Sequence, residues 1–162
     1  MSRSLRGICT AKLRQLDLPS PLTVPRLCAH LEAVRQRPIT LMPLCGLPPG
    51  GPCGIWVATS ATDFILYRDS TSPVHQSHII LHELAHLIFE HSHGLDGDYR
   101  RLLLPNLGET AIQRILGRSA YATPEEREAE TLASLLAQRI SHPPDDTTAE
   151  SADEQILRTL LE

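Results

Sequence analysis

The sequence predicts a mixed α+β fold, and three observations support this class. The composition is that of an ordinary globular protein, with 162 residues, 41% of them apolar and 21% charged. Helical patterns lie towards both ends of the chain, and shorter β-rich runs lie between them. Turns rich in proline and glycine separate these segments. A chain of this length can bury a core without disulfides or other cross-links.

The first half of the chain predicts two helices followed by three strands. Thr23 is the predicted N-cap of the second helix, which has Pro25 in its first turn and stops before Pro38. The last two strands are separated by a short polar break, which is typical of a hairpin. In order, the predicted elements occupy residues 5–16, 24–37, 39–44, 54–60 and 63–68.

The second half is predicted to be helical. A capping sequence that ends at Pro73 opens the first of these helices, and Thr123 with Pro124 and Glu126 opens another. The patterns around residue 110 and near the end of the chain are weaker. The predicted helices occupy residues 74–91, 109–116, 123–140 and 153–161.

Charge divides the chain into a main domain and an acidic end. We predict one domain over residues 1–142, with 1–22 as its N-terminal segment, and a loosely ordered acidic tail over 143–162. The net charge of −4 argues against direct nucleic-acid binding. Residues 1–40 are nevertheless basic, with seven Lys or Arg against two acids. They are interpreted as a solvated face, with an interaction surface as the alternative.

The cysteines and the apolar runs bear on the compartment. The four cysteines form no CxxC pair, which favours free thiols. The N-terminus has charges throughout and lacks the apolar core of a signal peptide. No run approaches the ~20 apolar residues that cross a membrane. We therefore expect a cytoplasmic protein that does not bind membranes. The cysteines are Cys9, Cys28, Cys45 and Cys53.

One motif carries recognisable chemistry. His82, Glu83 and His86 fit the HExxH pattern, and residues four apart share one face of a helix. Both imidazoles can then bind one Zn²⁺, which accepts neutral nitrogen and carboxylate ligands in tetrahedral sites. Glu83 lies beside them and is the predicted general base for an activated water.

The surroundings of the motif favour a metal over hydrogen-bonded core histidines. The flanking positions are apolar on nearly every side, so the helix is predicted to be buried. Burial of an unpaired carboxylate and two imidazoles costs several kcal/mol, on the order of the desolvation of polar groups, unless a partner compensates. The flanking residues are Ile79, Ile80, Leu81, Leu84, Ala85, Leu87, Ile88 and Phe89.

The third ligand is expected on a later helix. In the pattern HExxHxxGxxH the last two fixed positions would be Gly and His, but Phe89 and Ser92 stand there. The usual alternative is a glutamate on a following helix, and the helix after Thr123 offers three candidates. These acids also suit a helix N-terminus without any metal.

Helix geometry ranks the three glutamates. Three alanines one turn apart form an edge that lets helices approach closely: Ala129, Ala133 and Ala137. Glu126 lies about 20° from the centre of this edge and Glu130 about 60° away. Glu126 is therefore the predicted ligand, and Glu130 a partner for a ligand histidine or an alternative ligand. Glu128 projects away from this edge, nearer Leu132 and Leu135, and is the remaining candidate for a partner of a ligand histidine or an alternative ligand.

Other polar residues near the motif have no assigned role. They suit a cleft contact or a transition-state donor, but half-exposed or packing positions are the commoner outcome for such residues. They are His75, His78, His91, His93, Tyr99, Tyr121 and the pair Arg100 and Arg101.

Two segments together resemble a known family. Residues 78–87 resemble the active-site helix of the ImmA/IrrE-type metallopeptidases, and residues 126–136 resemble their second signature. The order of helix, small sheet with hairpin, HExxH helix and ligand helix is also similar over residues 23–142. Two positions differ from the usual pattern: Glu130 replaces Asn or Asp, and Leu132 replaces Phe.

The resemblance implies a fold and an activity. It implies a compact zincin-like domain whose small sheet packs on the HExxH helix, and a zinc-dependent endopeptidase. By position, His82, His86 and Glu126 match the zinc ligands, and Glu83 matches the base. Members commonly cleave helix-turn-helix repressors, so the expected partner is such a regulatory protein. The alternative is a zinc-binding or vestigial module that regulates by contact without cleavage.

Overall fold

The computed structural model describes residues 4–45, 50–91, 112–117 and 123–142, with only the backbone described for 112–117. Helices and strands cover most of these ranges. The helices are α1 (Leu5–Leu16), α2 (Val24–Arg35), α3 (Pro73–Phe89) and α4 (Pro124–Ser141). The strands are β1 (Ile39–Leu44), β2 (Gly54–Thr59), β3 (Asp63–Arg68) and β4 (Ile112–Gly117).

The four strands form one mixed sheet in the order β1-β3-β2-β4. β2 and β3 pair antiparallel, which confirms the predicted hairpin, and Thr59 closes its turn by hydrogen bonds to Thr62. β1 pairs parallel with β3, and β4 pairs antiparallel with the other edge of β2. The mixed α+β class is therefore confirmed.

Helix α3 lies between the sheet and α4. It contacts β2 and β3 on one side and α4 on the other, and its residues from Ile79 to Ile88 are mostly buried. Strand side chains alternate between faces, so Trp56 and Ile65 join this core whereas Ile55 and Val57 pack on the opposite face. The prediction of a buried HExxH helix is confirmed.

Side-chain caps define where the helices begin, as the sequence predicts. Thr23 accepts a hydrogen bond from the Arg26 amide, and Thr123 accepts one from the Glu126 amide. Ser72 caps α3 in the same way. Helix α3 ends at Phe89, two residues earlier than predicted, because Glu90 adopts the left-handed conformation with φ 56°.

One predicted helix is wrong. The sequence pattern favours a helix over residues 109–116, but 112–117 form strand β4. The backbone groups on the open edge of β2 need partners, and β4 supplies them from Ile112 to Gly117. Tertiary pairing thus overrides a weak helical pattern in a segment that contains β-branched Ile112 and Ile115.

Several predictions fall outside the described residues. The tail over 143–162 with its helix over 153–161 lies there, as do His93, Tyr99, Tyr121 and the arginine pair. Among the helices that are described, none is both long and apolar enough to cross a membrane. The four cysteines are free thiols, as predicted.

Candidate metal centre

Helix α3 and the first turns of α4 bring the predicted ligands together. His82 and His86 lie one helical turn apart on the face of α3 that meets α4, and Glu126 lies in the first turn of α4. The buried alanines of α4, Ala129 and Ala133, allow the close approach of the two helices.

Three side chains form one group that can hold a metal ion. His82 Nε2 lies 3.1 Å from His86 Nε2, and each nitrogen lies 3.3 Å from an oxygen of Glu126. All the ligand atoms lie within 4.8 Å of one another. Glu128 and Glu130, the alternative ligands, are not part of this group.

The spacing of these atoms fits a tetrahedral ion. Ligand atoms about 2.0–2.2 Å from a Zn²⁺ ion and at tetrahedral angles to one another lie roughly 3.3–3.5 Å apart. The two Nε2 atoms lie 3.1 Å apart, and each lies 3.3 Å from a different oxygen of Glu126, Oε2 for His82 and Oε1 for His86, so each of these contacts is close to that spacing. Two imidazoles and one carboxylate are also a ligand set of catalytic zinc sites, which keep the fourth position open.

The charges in the group favour the ligand form of Glu126. Hydrogen bonds from His82 and His86 hold the pKa of the Glu126 carboxyl far below its usual range, although partial burial opposes this. Burial lowers the pKa of His82, but the hydrogen bond to Glu126 and the charges of Glu83, Glu126 and Glu130 outweigh it and raise that pKa. Glu126 is therefore an anion that attracts a cation to this position.

Glu83 lies beside the ligands, buried against β2. Its side chain is 6% exposed. Burial raises the pKa of Glu83 to about 7, with a smaller rise from Glu126, although nearby His82 and His86 and the Trp56 backbone oppose the shift. A carboxyl group with a pKa near neutrality can both take up and release a proton at ordinary pH.

A glycine makes room for this carboxylate. A Cβ atom at position 54 would lie 2.6 Å from Glu83 Oε1 and 2.7 Å from Ile79 Cγ2, closer than such atoms approach without a shift of the structure. In the sequence, Gly54 marks only the start of a predicted strand. Nothing in the local pattern distinguishes it further, because its neighbours in space are distant in sequence.

Glu130 holds the first histidine ligand. Its Oε2 lies 3.2 Å from His82 Nδ1, and its Oε1 lies 3.1 Å from His78 Nε2. A carboxylate at Nδ1 keeps that nitrogen protonated and leaves Nε2 free for a metal. The predicted contact of Glu130 with a ligand histidine is thus present, and His78 takes part in it.

Glu128 reaches the second histidine ligand indirectly. His86 Nδ1 lies 2.9 Å from His91 Nδ1, and His91 Nε2 lies 3.2 Å from Glu128 Oε2. Glu128, predicted as a partner of a ligand histidine or as an alternative ligand, thus reaches His86 only through His91. Its side chain is only 27% exposed because it extends towards His91, just beyond the end of α3.

A cleft opens beside the candidate ligands. It has a volume of about 210 Å³. His82 and Glu83 line it together with Gly54, and His75 and His78 form part of its wall. Glu83 is therefore buried on the side of β2 but borders a space that can admit solvent or part of a substrate. The interpretation of His75 and His78 as cleft residues is consistent with this position.

Comparisons with known proteins do not assign this chain to a family. Searches against protein-family models, curated proteins and solved structures find no match to this chain. The case for function therefore depends on the geometry of the site.

Proposed function

We propose that the chain is a zinc-dependent endopeptidase with a zincin-like site, acting in the cytoplasm. The observation that carries the proposal is the group of His82, His86 and Glu126, with one ligand atom from each within 4.8 Å of the others and Glu83 beside it. Two imidazoles and a carboxylate suit zinc better than the oxygen-rich sites of Mg²⁺ or Ca²⁺.

In this proposal, metal binding and proton transfer are assigned to different residues of the chain. Zinc, when bound, acts as a Lewis acid that polarises a carbonyl and lowers the pKa of water. His82, His86 and Glu126 would hold it. Glu83 would take the proton from the attacking water and later give it to the leaving amine.

The proposed substrate is a regulatory protein, with a helix-turn-helix repressor as the first candidate. The support is the resemblance of residues 78–87 and 126–136 to the two signatures of ImmA/IrrE-type metallopeptidases. The alternative is a zinc-binding module that acts by contact alone. The basic character of residues 1–40 and the substitutions at Glu130 and Leu132 keep that alternative open.

The first test measures metal and cleavage in one preparation. The purified chain, never exposed to chelators, is expected to carry about one zinc per molecule by elemental analysis. It is then mixed with the transcriptional regulator encoded beside it, and fragments are identified by mass spectrometry. Glu83→Gln should keep the zinc and lose cleavage by a factor of about 100 or more.

Glu90→Gln is the matched control. Glu90 lies just after the same helix, is exposed, and forms an ion pair with Arg35. It should leave cleavage unchanged. A chain without zinc would contradict the proposal, and full cleavage by Glu83→Gln would exclude the assigned base. A complex without fragments, equal for parent and Glu83→Gln, would favour the contact module.

A further inference from the structure

We infer that His91 and Glu128 are positioning residues that fix the orientation of the His86 ring. We call the set of His86, His91 and Glu128 the histidine relay. The inference rests on the proposed function in one respect, that His86 binds zinc through Nε2. The relay itself consists of contacts within the described residues, so it can be tested separately from cleavage.

With a metal on Nε2 of His86, hydrogen-bond chemistry gives the relay one direction. The Nδ1 atom of His86 then carries the proton and donates to His91 Nδ1, 2.9 Å away. His91 carries its proton on Nε2 and donates to Glu128 Oε2, 3.2 Å away. Every ring nitrogen then has a partner. A carboxylate at the far end favours this direction over the reverse.

Burial makes the relay necessary. His86 is 4% exposed and His91 is 6% exposed, so water does not readily replace a missing partner. A buried donor without an acceptor loses its hydrogen bond to solvent and gains nothing in return. Without His91, the proton that metal-bound His86 carries on Nδ1 would have no acceptor.

The backbone holds His91 in place. The left-handed conformation of Glu90 turns the chain back, and the His91 amide donates to the His86 carbonyl over 3.1 Å. The His91 ring also stacks on Phe89, with 5.4 Å between ring centres and 8° between their planes. The ring is thus fixed by a backbone bond, a stack and Glu128, independently of His86.

The two histidine ligands are therefore supported differently. His82 contacts Glu130 directly, and the Glu130 side chain is 56% exposed. His86 contacts its carboxylate through a buried imidazole. Solvent can substitute for Glu130 but not for His91, so we expect the relay to contribute more to metal affinity than the direct contact does.

The test is His91→Phe, which keeps an aromatic ring on Phe89 but removes both ring nitrogens. Zinc affinity is measured by competition with a chromophoric chelator, and it should fall about 10–100-fold. In the metal-free protein, ¹H–¹⁵N spectra of the histidine rings should show a slowly exchanging proton between His86 Nδ1 and His91 Nδ1 in the parent, and its loss in the variant.

Two further variants separate positioning from general structure. Glu128→Gln keeps an acceptor for His91 and should retain the protected ring proton and most of the affinity, whereas Glu128→Ala should lose both. Phe89→Leu removes the stack but leaves the hydrogen bonds, and it should keep the ring proton. Circular dichroism and thermal unfolding of each metal-free variant report whether it is folded.

The outcomes distinguish the relay from the proposed function. Unchanged zinc affinity in folded His91→Phe would overturn the relay while leaving the zinc site intact. A parent chain that binds no zinc would overturn the proposed function, and the ring-proton spectra of the metal-free protein would still decide the relay, because absence of the proton between His86 and His91 would overturn it. An equal effect of Glu128→Gln and Glu128→Ala would show that charge, not hydrogen bonding, is decisive, and would overturn the assigned direction.

Discussion

Glu83 lies so close to strand β2 that only glycine fits at position 54. A Cβ atom there would lie 2.6 Å from Glu83 Oε1, which leaves no space for an alanine methyl group unless the carboxylate or the helix moves. Ile79, one turn before Glu83, closes the other side at 2.7 Å. The place of the proposed base is thus set by the absence of a side chain on the neighbouring strand.

Gly54→Ala is expected to destabilise the fold and to displace Glu83. Overpacking of a buried contact costs about 1–3 kcal/mol, which urea unfolding would measure. Cleavage should fall by more than this loss of stability explains, because Glu83 itself moves. Zinc binding should fall less, because the atoms nearest to the added methyl group belong to Glu83 and Ile79 rather than to a candidate ligand.

Gly7→Ala is the control for this substitution. Gly7 lies in the exposed first turns of α1, and a Cβ there would approach only Ser4 Oγ, at 3.3 Å. Alanine is the better helix former, so this change should be neutral or stabilise by about 0.5–1 kcal/mol. Equal unfolding free energies for both variants would show that the contact with Glu83 is not tight.

For individual residues, the sequence predicted those site positions that depend on spacing along one helix. His82, Glu83 and His86 follow from the four-residue repeat of a helix face. Glu126 followed from the alanine edge of α4, where small residues indicate a close approach. Gly54 and His91 could not be predicted, because their importance depends on contacts with residues that a folded chain alone brings near.

At the scale of elements, α4 carries three glutamates with three different tasks. Glu126 belongs to the candidate ligand group, Glu128 ends the histidine relay, and Glu130 contacts His82 directly. All three lie within two turns of the N-cap Thr123. The beginning of this helix therefore determines the placement of these three carboxylates around the histidines, whereas Glu83 is placed by α3.

Thr123→Ala is expected to weaken zinc binding through the helix rather than through a ligand. Loss of an N-cap destabilises a helix end by about 1 kcal/mol, and fraying would move Glu126 in the first turn. Thr23→Ala removes the matched cap of α2, which holds no candidate ligand. Both variants should lose similar stability, but only Thr123→Ala should lose zinc affinity in chelator competition.

Equal zinc affinity in the two cap variants would mean that packing alone holds α4 in place. Packing contacts that could hold α4 are present, because Leu132 and Leu136 are fully buried in the same core as α3. The experiment therefore measures how much of the ligand placement depends on the helix end.

The helices and the central hairpin were predictable because their signals are local. Caps, prolines and apolar periodicity mark α1 to α4 and the first three strands within one or two residues. Strand β4 could not be predicted in this way, because it forms by pairing with β2. Its sequence also includes leucine and arginine, which are common in helices as well. The parallel pairing of β1 with β3 is likewise a property of the assembled sheet.

For the whole molecule, one helix connects the core with the site. The face of α3 that meets the sheet contributes apolar side chains, and the face that meets α4 contributes the two histidines. Both faces belong to the same 17 residues, so the segment that carries the site also stabilises the fold. Changes at the site are therefore expected to alter global stability.

Zinc is expected to raise the temperature of unfolding. At a free concentration 100 times Kd, binding to the folded state alone adds about 2.7 kcal/mol. For a domain of this size that corresponds to roughly 5–11 °C. Scanning calorimetry with added Zn²⁺, and again after a chelator, would measure the shift and its reversal.

Glu126→Gln supplies the control for this shift. It keeps both histidines and the shape of the side chain but removes the anionic ligand. Zinc should therefore raise the unfolding temperature of this variant much less. A comparable rise in both proteins would place the stabilising ion elsewhere. No rise in the parent chain would contradict the proposed zinc site.

The candidate ligands come from helices that are separate in sequence, since Glu126 follows His86 by 40 positions. The unfolded chain keeps only the pair of histidines in proximity. Strong coordination by all three groups therefore requires α3 and α4 to be docked. It follows that bound metal per mole of protein counts correctly assembled molecules, so a metal assay can serve as a quality measure for any preparation or variant of this chain.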